Sequence, residues 1–261
     1  MEKKDFVARY GPFALVTGAS SGIGRSFAQQ LAARGLDLVL VARRVQRLED
    51  LARVLETTHG VRVTVCTIDL AEVTAARQIL DATSNLDIGL VVSNAGFGLR
   101  GEHGGHKPAD MTEMLMVNCH IPMLLAHGFI PRLRARGKGG LVFTSSVEAL
   151  LGMPFSAAYS ATKGFVNRLG EALWGELTPS GIDVLTLCPG ATDTEALQRA
   201  GIDPATMPNV MLPDEVARLA LENLRHGPVY IPSAHYRAMF ERLLAMPRRD
   251  ALSAVAANMK K

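Results

Sequence analysis

Cysteine is scarce in this chain. Cys66, Cys119 and Cys188 are the only three in 261 residues, odd in number, far apart and without a Cys-x-x-Cys pair. That pattern argues against a disulfide framework and a thiolate metal site, and fits a reducing compartment, for which we expect the cytoplasm. His103 and His106 lie close together without a third ligand nearby, so no metal is expected either. An excess of one charge is also missing. The 28 Lys and Arg stand against 25 Asp and Glu, and the net charge of +3 is too small to suggest nucleic acid as a partner. A local basic cluster, Arg132, Arg134, Arg136 and Lys138, reads as a solvated helix end, where cations suit the dipole. The opening residues Met1-Glu2-Lys3-Lys4-Asp5 lack the apolar core and cleavage site of a signal peptide, and the first apolar run is expected to lead straight into a strand. No uninterrupted apolar run approaches the roughly 18 residues of a spanning helix, so no membrane span is expected. Internal repeats and low-complexity tracts are absent as well.

What is there is a chain that is 48% hydrophobic and 20% charged, enough to bury a substantial core as a single domain over residues 1–261. Apolar runs suited to buried strands recur at 13–17, 36–42, 61–68, 88–93, 141–145, 182–187 and 229–231. Between them, helical periodicity covers 23–34, 45–58, 71–83, 108–136, 155–177 and 214–224. Pro122 and Pro131 are expected to kink or interrupt the long fourth helix, and Phe165, Leu169, Leu173 and Leu177 to form a core-facing stripe on the fifth. Residues 97–107, rich in glycine, read as a mobile loop lining a pocket. Alternating strands and helices give βαβ units with right-handed crossovers, hence an α/β, doubly wound (Rossmann) parallel sheet flanked by helices.

Chemistry concentrates between Ser146 and Lys163. Tyr159 and Lys163 are four residues apart, so a helix sets phenol and ammonium on one face, where a cation lowers the phenol pKa and makes the tyrosine an acid or base. Ser146, thirteen positions before Tyr159, falls at a strand end and offers a hydroxyl to a substrate oxygen. A second cluster lies near the start. Gly18, Gly22 and Gly24, with Ser20, Ser21 and Ile23 between them, follow a strand and open a helix, which suits a pyrophosphate at a helix N-terminus. The second strand ends in Ala42-Arg43-Arg44 with no carboxylate to hold a ribose 2′-hydroxyl. A guanidinium at Arg43, assisted by Arg44, matches a 2′-phosphate, so NADP(H) is expected over NAD(H).

Taken together, Thr17-Gly-Ala-Ser-Ser-Gly-Ile-Gly24 and Ser146-x12-Tyr159-x3-Lys163 make the chain resemble the short-chain dehydrogenase/reductase family over most of its length. The resemblance implies a seven-stranded sheet of order 3-2-1-4-5-6-7. It also implies an adenine-contacting pair at Asp69-Leu70, a support beside the adenosine ribose at Asn94-Ala95-Gly96, and a nicotinamide segment at Pro189-Gly190 with Thr192 and Thr194 as candidates. Ser146 would hold the carbonyl oxygen, Tyr159 would exchange the proton, and Lys163 would tune the phenol and bind the nicotinamide ribose. Asn118 would complete a water relay. A homodimer or homotetramer is implied, with helices 108–136 and 155–177 as the interface.

The implied reaction is hydride transfer between NADP(H) and a secondary alcohol or ketone. Apolar residues at 97–105 and 150–155, with Leu197, Met207 and Met211 in a substrate loop at about 191–212, suit a hydrophobic, steroid-like or fatty-chain substrate. Glu148 is an unusual carboxylate so close to this site, facing either substrate or solvent. Residues 233–261 read as a lid, a subunit contact or a segment touching an acidic membrane surface. The alternative from another class is a non-catalytic NADP(H)-sensing protein on the same fold.

Overall fold

Seven strands set the architecture: β1 (Phe13–Thr17), β2 (Asp37–Ala42), β3 (Val63–Thr67), β4 (Ile88–Ser93), β5 (Gly139–Thr144), β6 (Ile182–Leu187) and β7 (Val229–Tyr230). All pair in parallel, in the order β3-β2-β1-β4-β5-β6-β7. This is the doubly wound sheet and strand order expected from the sequence. The computed structural model describes residues 1–199 and 203–259. Positions 200–202 of the expected substrate loop, and the basic end at Lys260 and Lys261, lie outside the described residues.

The strands β1, β4 and β5 are buried at every position, as a sheet covered on both faces requires. Alternation then sorts side chains into two layers. Ala14 and Val16 of β1 join a core with Phe27 and Leu31 of α2 (Gly22–Ala33), Leu48 and Leu55 of α3 (Val45–His59) and Val216 and Leu221 of α9 (Pro213–Glu222). Phe13 and Leu15 join the opposite core with Ile79, Leu125, Phe129, Leu133 and Leu173. Each such buried side chain contributes roughly 1.5–3 kcal/mol.

Several expectations are corrected. The chain does not run straight into β1, because Lys3–Tyr10 forms α1, held by Phe6 and Tyr10 in the first core. Arg9 donates to both carboxylate oxygens of Asp183 at 2.5 and 2.9 Å, and the Tyr10 hydroxyl donates to the same carboxylate at 2.6 Å. The basic cluster is not merely solvated. Arg132 donates to the carbonyls of Leu80 and Thr83, which terminate α4 (Ala75–Ala82), and Arg136 pairs with Asp87 and donates to the Gly11 carbonyl at 2.6 Å. Helix-end carbonyls lack intrahelical donors, and these guanidinium groups supply them.

The prolines do not break the 108–136 helix. It runs as α5 (Pro108–Leu115), a π turn (Met116–His120) and α6 (Ile121–Arg136). Pro122 falls in the first turn of α6, where a missing N–H is tolerated, while Pro131 is absorbed within it. The interruption is the π turn, a deformation that recurs at functional sites. By length and composition this 29-residue segment is apolar enough to cross a membrane, with a mean hydropathy of 1.3 in its best window. Its Leu125, Phe129 and Leu133 are buried in the second core.

The next helix, α7 (Ala157–Leu177), begins two residues later than expected, since Phe155 adopts a left-handed φ of 57°. Phe165 is exposed rather than core. Steps of four residues overshoot a 3.6-residue turn, so the row from Phe165 to Leu177 drifts by about 120° around the helix. Two glycines on α7 separate space from propensity. A Cβ at Gly170 would lie 1.9 Å from Thr186 Oγ1 on β6, whereas one at Gly175 meets nothing within 4 Å. Gly170→Ala is therefore expected to destabilise the fold by about 1–3 kcal/mol through overpacking. Gly175→Ala should stabilise it by roughly 0.5–1 kcal/mol through helix propensity. Urea midpoints of the two variants check both signs.

Candidate active site

Strand order reverses between β1 and β4, and the crevice beyond their carboxyl ends is where an open α/β sheet binds ligands. Thr17, the buried last residue of β1, accepts hydrogen bonds at Oγ1 from the N–H groups of Asn94 (2.9 Å) and Ala95 (3.0 Å). Asn94 Nδ2 donates to the Thr17 carbonyl, and Thr144 Oγ1 donates to Asn94 Oδ1. Asn94 thus ties β1, β4 and β5 together at the crevice. Thr17 and Thr144 were not singled out from the sequence, although each is a polar residue closing an apolar strand.

The glycine turn sits on this support. Gly18 has a φ of +68°, and a Cβ at Gly24 would lie 2.3 Å from the Gly18 carbonyl oxygen and 2.5 Å from Asn94 Nδ2. Gly22, with φ +52°, faces Thr194, whose Cγ2 borders its missing Cβ at 3.0 Å. The glycine turn and the segment from Pro189 to Thr194 therefore face each other. Ile23 packs into the first core, and the first turn of α2 carries neither a side-chain cap nor an acidic residue. Its N–H groups are free to meet an anion, so these residues fit the pyrophosphate of a dinucleotide.

Arg44, rather than Arg43, stands on this turn. Its guanidinium donates to Ser20 Oγ (2.8 Å), to Ser21 Oγ (2.7 Å) and to Glu195 of the short helix α8 (Glu195–Arg199) at 2.7 Å. With Arg47 also paired to it, the Glu195 carboxyl is pushed down to about 2. The more exposed Arg43 (57% against 35% for Arg44) lies 3.3 Å from Glu113 and 3.6 Å from Asp69. Asp69 accepts from the Ala71 N–H, and Leu70 is buried. In the opposite segment the Thr192 hydroxyl donates to the Gly190 carbonyl and Thr194 to the Thr192 carbonyl.

The candidate catalytic residues meet behind this crevice. Ser146 accepts at Oγ from the Glu148 N–H (3.1 Å), and its hydroxyl is among the groups that act on the Tyr159 phenol. Its neighbour Ser145 is committed elsewhere, donating to the Lys163 carbonyl at 3.0 Å, which leaves Ser146 as the site serine. Lys163 Nζ donates to the Thr144 carbonyl at 2.9 Å and lies 5.7 Å from the centre of the Tyr159 ring. Asn118, in the π turn, donates through Nδ2 to the Phe97 carbonyl and to Thr162 Oγ1, and accepts at Oδ1 from the Phe97 N–H. Both Asn118 Oδ1 and Lys163 Nζ border the space that a Cβ on Gly96 would fill, at 3.0 and 2.9 Å. Gly96 is required there because any side chain would displace them. Thr162, which also donates to the Tyr159 carbonyl, is a further residue that spacing did not reveal.

The electrostatics differ from those expected of the four-residue spacing. Burial dominates, pushing the Tyr159 phenol up, and the nearby Glu148 carboxylate adds to the rise. The phenol oxygen lies deep even though part of the residue remains accessible. Burial also brings the Lys163 ammonium down to about 8. The Lys163 ammonium itself turns to the Thr144 carbonyl. Glu148 is neither a solvent-facing residue nor free: it is only 12% exposed, accepts from Ser156 Oγ at 2.7 Å and pairs with Arg100. The loop 97–107 is likewise tied down, with the Gly101 N–H donating to the Phe155 carbonyl at 2.8 Å.

Part of the expected apolar pocket is core. Leu151 and Val147 are buried with Phe240 of α10 (Ala234–Ala245) and with Ala251 and Val255 of α11 (Arg248–Met259), and Met211 packs on the first core. Leu150 and Met153 are partly buried against the same C-terminal helices, Leu197 and Met207 are half-buried, and a Cβ at Gly190 would collide with the Tyr236 ring at 2.1 Å. The C-terminal helices thus pack on the chain's own substrate-side loop. Among the described residues no cluster of His, Cys, Asp and Glu suits a metal.

Residues 12–204 match the family model for the short chain dehydrogenases. Among relatives, a 7beta-hydroxysteroid dehydrogenase of Clostridium sardiniense is 30% identical, the match covering 95% of this chain and 96% of that one. A very-long-chain 3-oxoacyl-CoA reductase-A of Danio rerio is 30% identical over 87% of this chain and 72% of its own. Among solved structures, a short-chain dehydrogenase from Sphingobium yanoikuyae in complex with NADPH superposes with a TM-score of 0.83 at 36% identity, covering 94% of this chain and 95% of that one. The glycine turn, Ser146, Tyr159, Lys163 and strands β1 to β6 all lie within the matched residues, and the chain belongs to the short-chain dehydrogenase family.

Proposed function

We propose that the chain is an NADP(H)-dependent oxidoreductase that interconverts a ketone and a secondary alcohol on a bulky hydrophobic substrate, steroid-like or fatty-chain. The observation that carries this is the convergence of Ser146, Tyr159 and Lys163 at the end of β5 and the start of α7, with Asn118 pinning the loop beside them. The bound nicotinamide supplies or accepts the hydride. Ser146, its oxygen already accepting from the Glu148 N–H, keeps its proton and donates a hydrogen bond to the substrate oxygen. Tyr159 is neutral at physiological pH and delivers its proton to that oxygen during reduction. Lys163 Nζ and Asn118 Oδ1 both crowd Gly96, so an ammonium and an amide oxygen stand close enough for a bridging water to restore the proton. The two relatives named for steroid and oxoacyl substrates support the substrate class, as do the half-buried Leu150 and Met153. NADPH consumption across steroid ketones, 3-oxoacyl thioesters and aromatic aldehydes tests the reading. NADPH binding without turnover of any of them would favour the non-catalytic sensor.

For the cofactor we assign the 2′-phosphate to Arg44 with Ser20 and Ser21, and a lesser part to Arg43. Arg44→Ala is expected to weaken NADPH by about tenfold or more, the value of a charge-assisted hydrogen bond, while NADH changes little. Equal losses for both nucleotides in a fluorescence titration would reject the assignment. We further infer a cytoplasmic homo-oligomer in which 108–136 is a core helix rather than a span. Leu115 and Met123 on that segment and Phe165 and Trp174 on α7 are exposed apolar side chains suited to a subunit contact.

A further inference from the structure

Glu148 has no part in the transfers proposed above, yet the site is built around it. Its backbone N–H holds Ser146 Oγ, its Oε2 accepts from Ser156 Oγ, and its Oε1 pairs with Arg100, which reaches across from the loop after β4. That loop lies directly on the catalytic ring. A Cβ on Gly98 would be 3.1 Å from Tyr159 Cδ2, and further along the loop the Gly101 N–H is bound to the Phe155 carbonyl. Arg100 and Glu148 are 48 positions apart and meet beside Tyr159 with side-chain exposures of 39% and 12%. An ion pair so shielded acts on its neighbours with little screening.

We propose that Glu148 is a positioning residue which, paired with Arg100, sets the protonation of Tyr159 and so commits the site to carbonyl reduction. The carboxylate disfavours a second negative charge on the phenol beside it; the guanidinium opposes that effect and holds the carboxylate in place. The other groups facing the phenol are Lys163 on its own helix, the Ser146 hydroxyl after β5 and the Cys188 thiol after β6, itself pushed up to about 12 by burial and hence neutral. Glu148 is therefore the one anion among them at physiological pH. The consequence for reaction direction rests on the oxidoreductase reading; the effect on the phenol does not.

The test reads the phenol directly. Incorporating 3,5-difluorotyrosine lowers phenol ionisation into a range where the fold holds, and fluorine NMR follows each of the four tyrosines, Tyr159 being assigned by its loss in Tyr159→Phe. Glu148→Gln keeps the shape and one acceptor oxygen but removes the charge, and is expected to lower the Tyr159 midpoint by about one unit. Arg100→Gln is expected to raise it, and the double variant to return it towards wild type. Opposite signs cannot come from a loosened loop, which would move both variants the same way. An unchanged midpoint in Glu148→Gln, or shifts of the same sign in both single variants, would overturn the proposal. Because the midpoints are read without turnover, a failed substrate screen would refute the oxidoreductase reading and leave this result standing.

Discussion

Tyr159→Phe is expected to lower kcat by about 10²–10⁴-fold, the range for losing a general acid, while NADPH affinity and folding stability stay close to wild type. The phenol is the acid proposed to protonate the substrate oxygen that Ser146 holds, and the loss falls on kcat because the proton moves in the transition state. Folding is spared for a physical reason. Burial disfavours the phenolate, so the neutral ring is already the comfortable form, and Ser146 keeps its bond from the Glu148 N–H when the phenol oxygen is removed. The measurement is steady-state kinetics beside a nucleotide titration and a urea melt. A Tyr159→Phe protein with wild-type kcat would refute its role as the acid.

Lys163→Met should do two opposite things, abolishing turnover and raising stability at pH 7 by about 1–2 kcal/mol. Lys163 is buried, and its ammonium makes one hydrogen bond, to the Thr144 carbonyl, with no carboxylate within salt-bridge distance among the described residues. Burial brings its pKa from 10.5 down to about 8, a gap worth about 3 kcal/mol at full extent. The isosteric methionine recovers that, less roughly 1 kcal/mol for the carbonyl left without its donor. The pH dependence follows with a definite sign. Above about pH 8 the folded protein has released this proton while the unfolded chain still binds it, so the contribution of this group to wild-type stability rises from pH 8 towards 9. Over the same range the Cys66, Cys119 and Cys188 thiols, all held above their usual value by burial, pull the other way in wild type and variant alike. Denaturant midpoints at pH 7, 8 and 9 should therefore show the advantage of Lys163→Met over wild type shrinking as the pH rises. A variant that is less stable at pH 7 would mean that the ammonium stabilises the fold.

Much of the site was legible because its parts are local in sequence. A strand, a glycine turn and a helix are adjacent segments, so Gly18, Gly22 and Gly24 state their own geometry; Tyr159 and Lys163 are one helical turn apart. Alternating apolar runs and helices gave the parallel, doubly wound class, while the strand order came only with the family resemblance that these motifs carry. Some misses were failures to weigh a signal already present. Phe6 and Tyr10, four apart among charged residues, mark the α1 helix, and the drift of a four-residue stripe foretells an exposed Phe165.

Other features were not in the spacing at all. Nothing near Arg43 and Arg44 tells which of them meets Ser20 and Ser21; that depends on how α3 leaves β2 and on Glu195, about 150 residues away. Asn118 acquires its partners only when the π turn brings it to Phe97 and Thr162. The sequence alone determined the fold class, the family and the identity of the reacting groups, because these depend on residue type and short intervals. The tertiary structure decided their charge states and duties: burial raised Tyr159 and lowered Lys163, and contact across the site gave Glu148 its partner Arg100. Desolvation and through-space charge depend on what surrounds a group in three dimensions, and no interval along the chain encodes that.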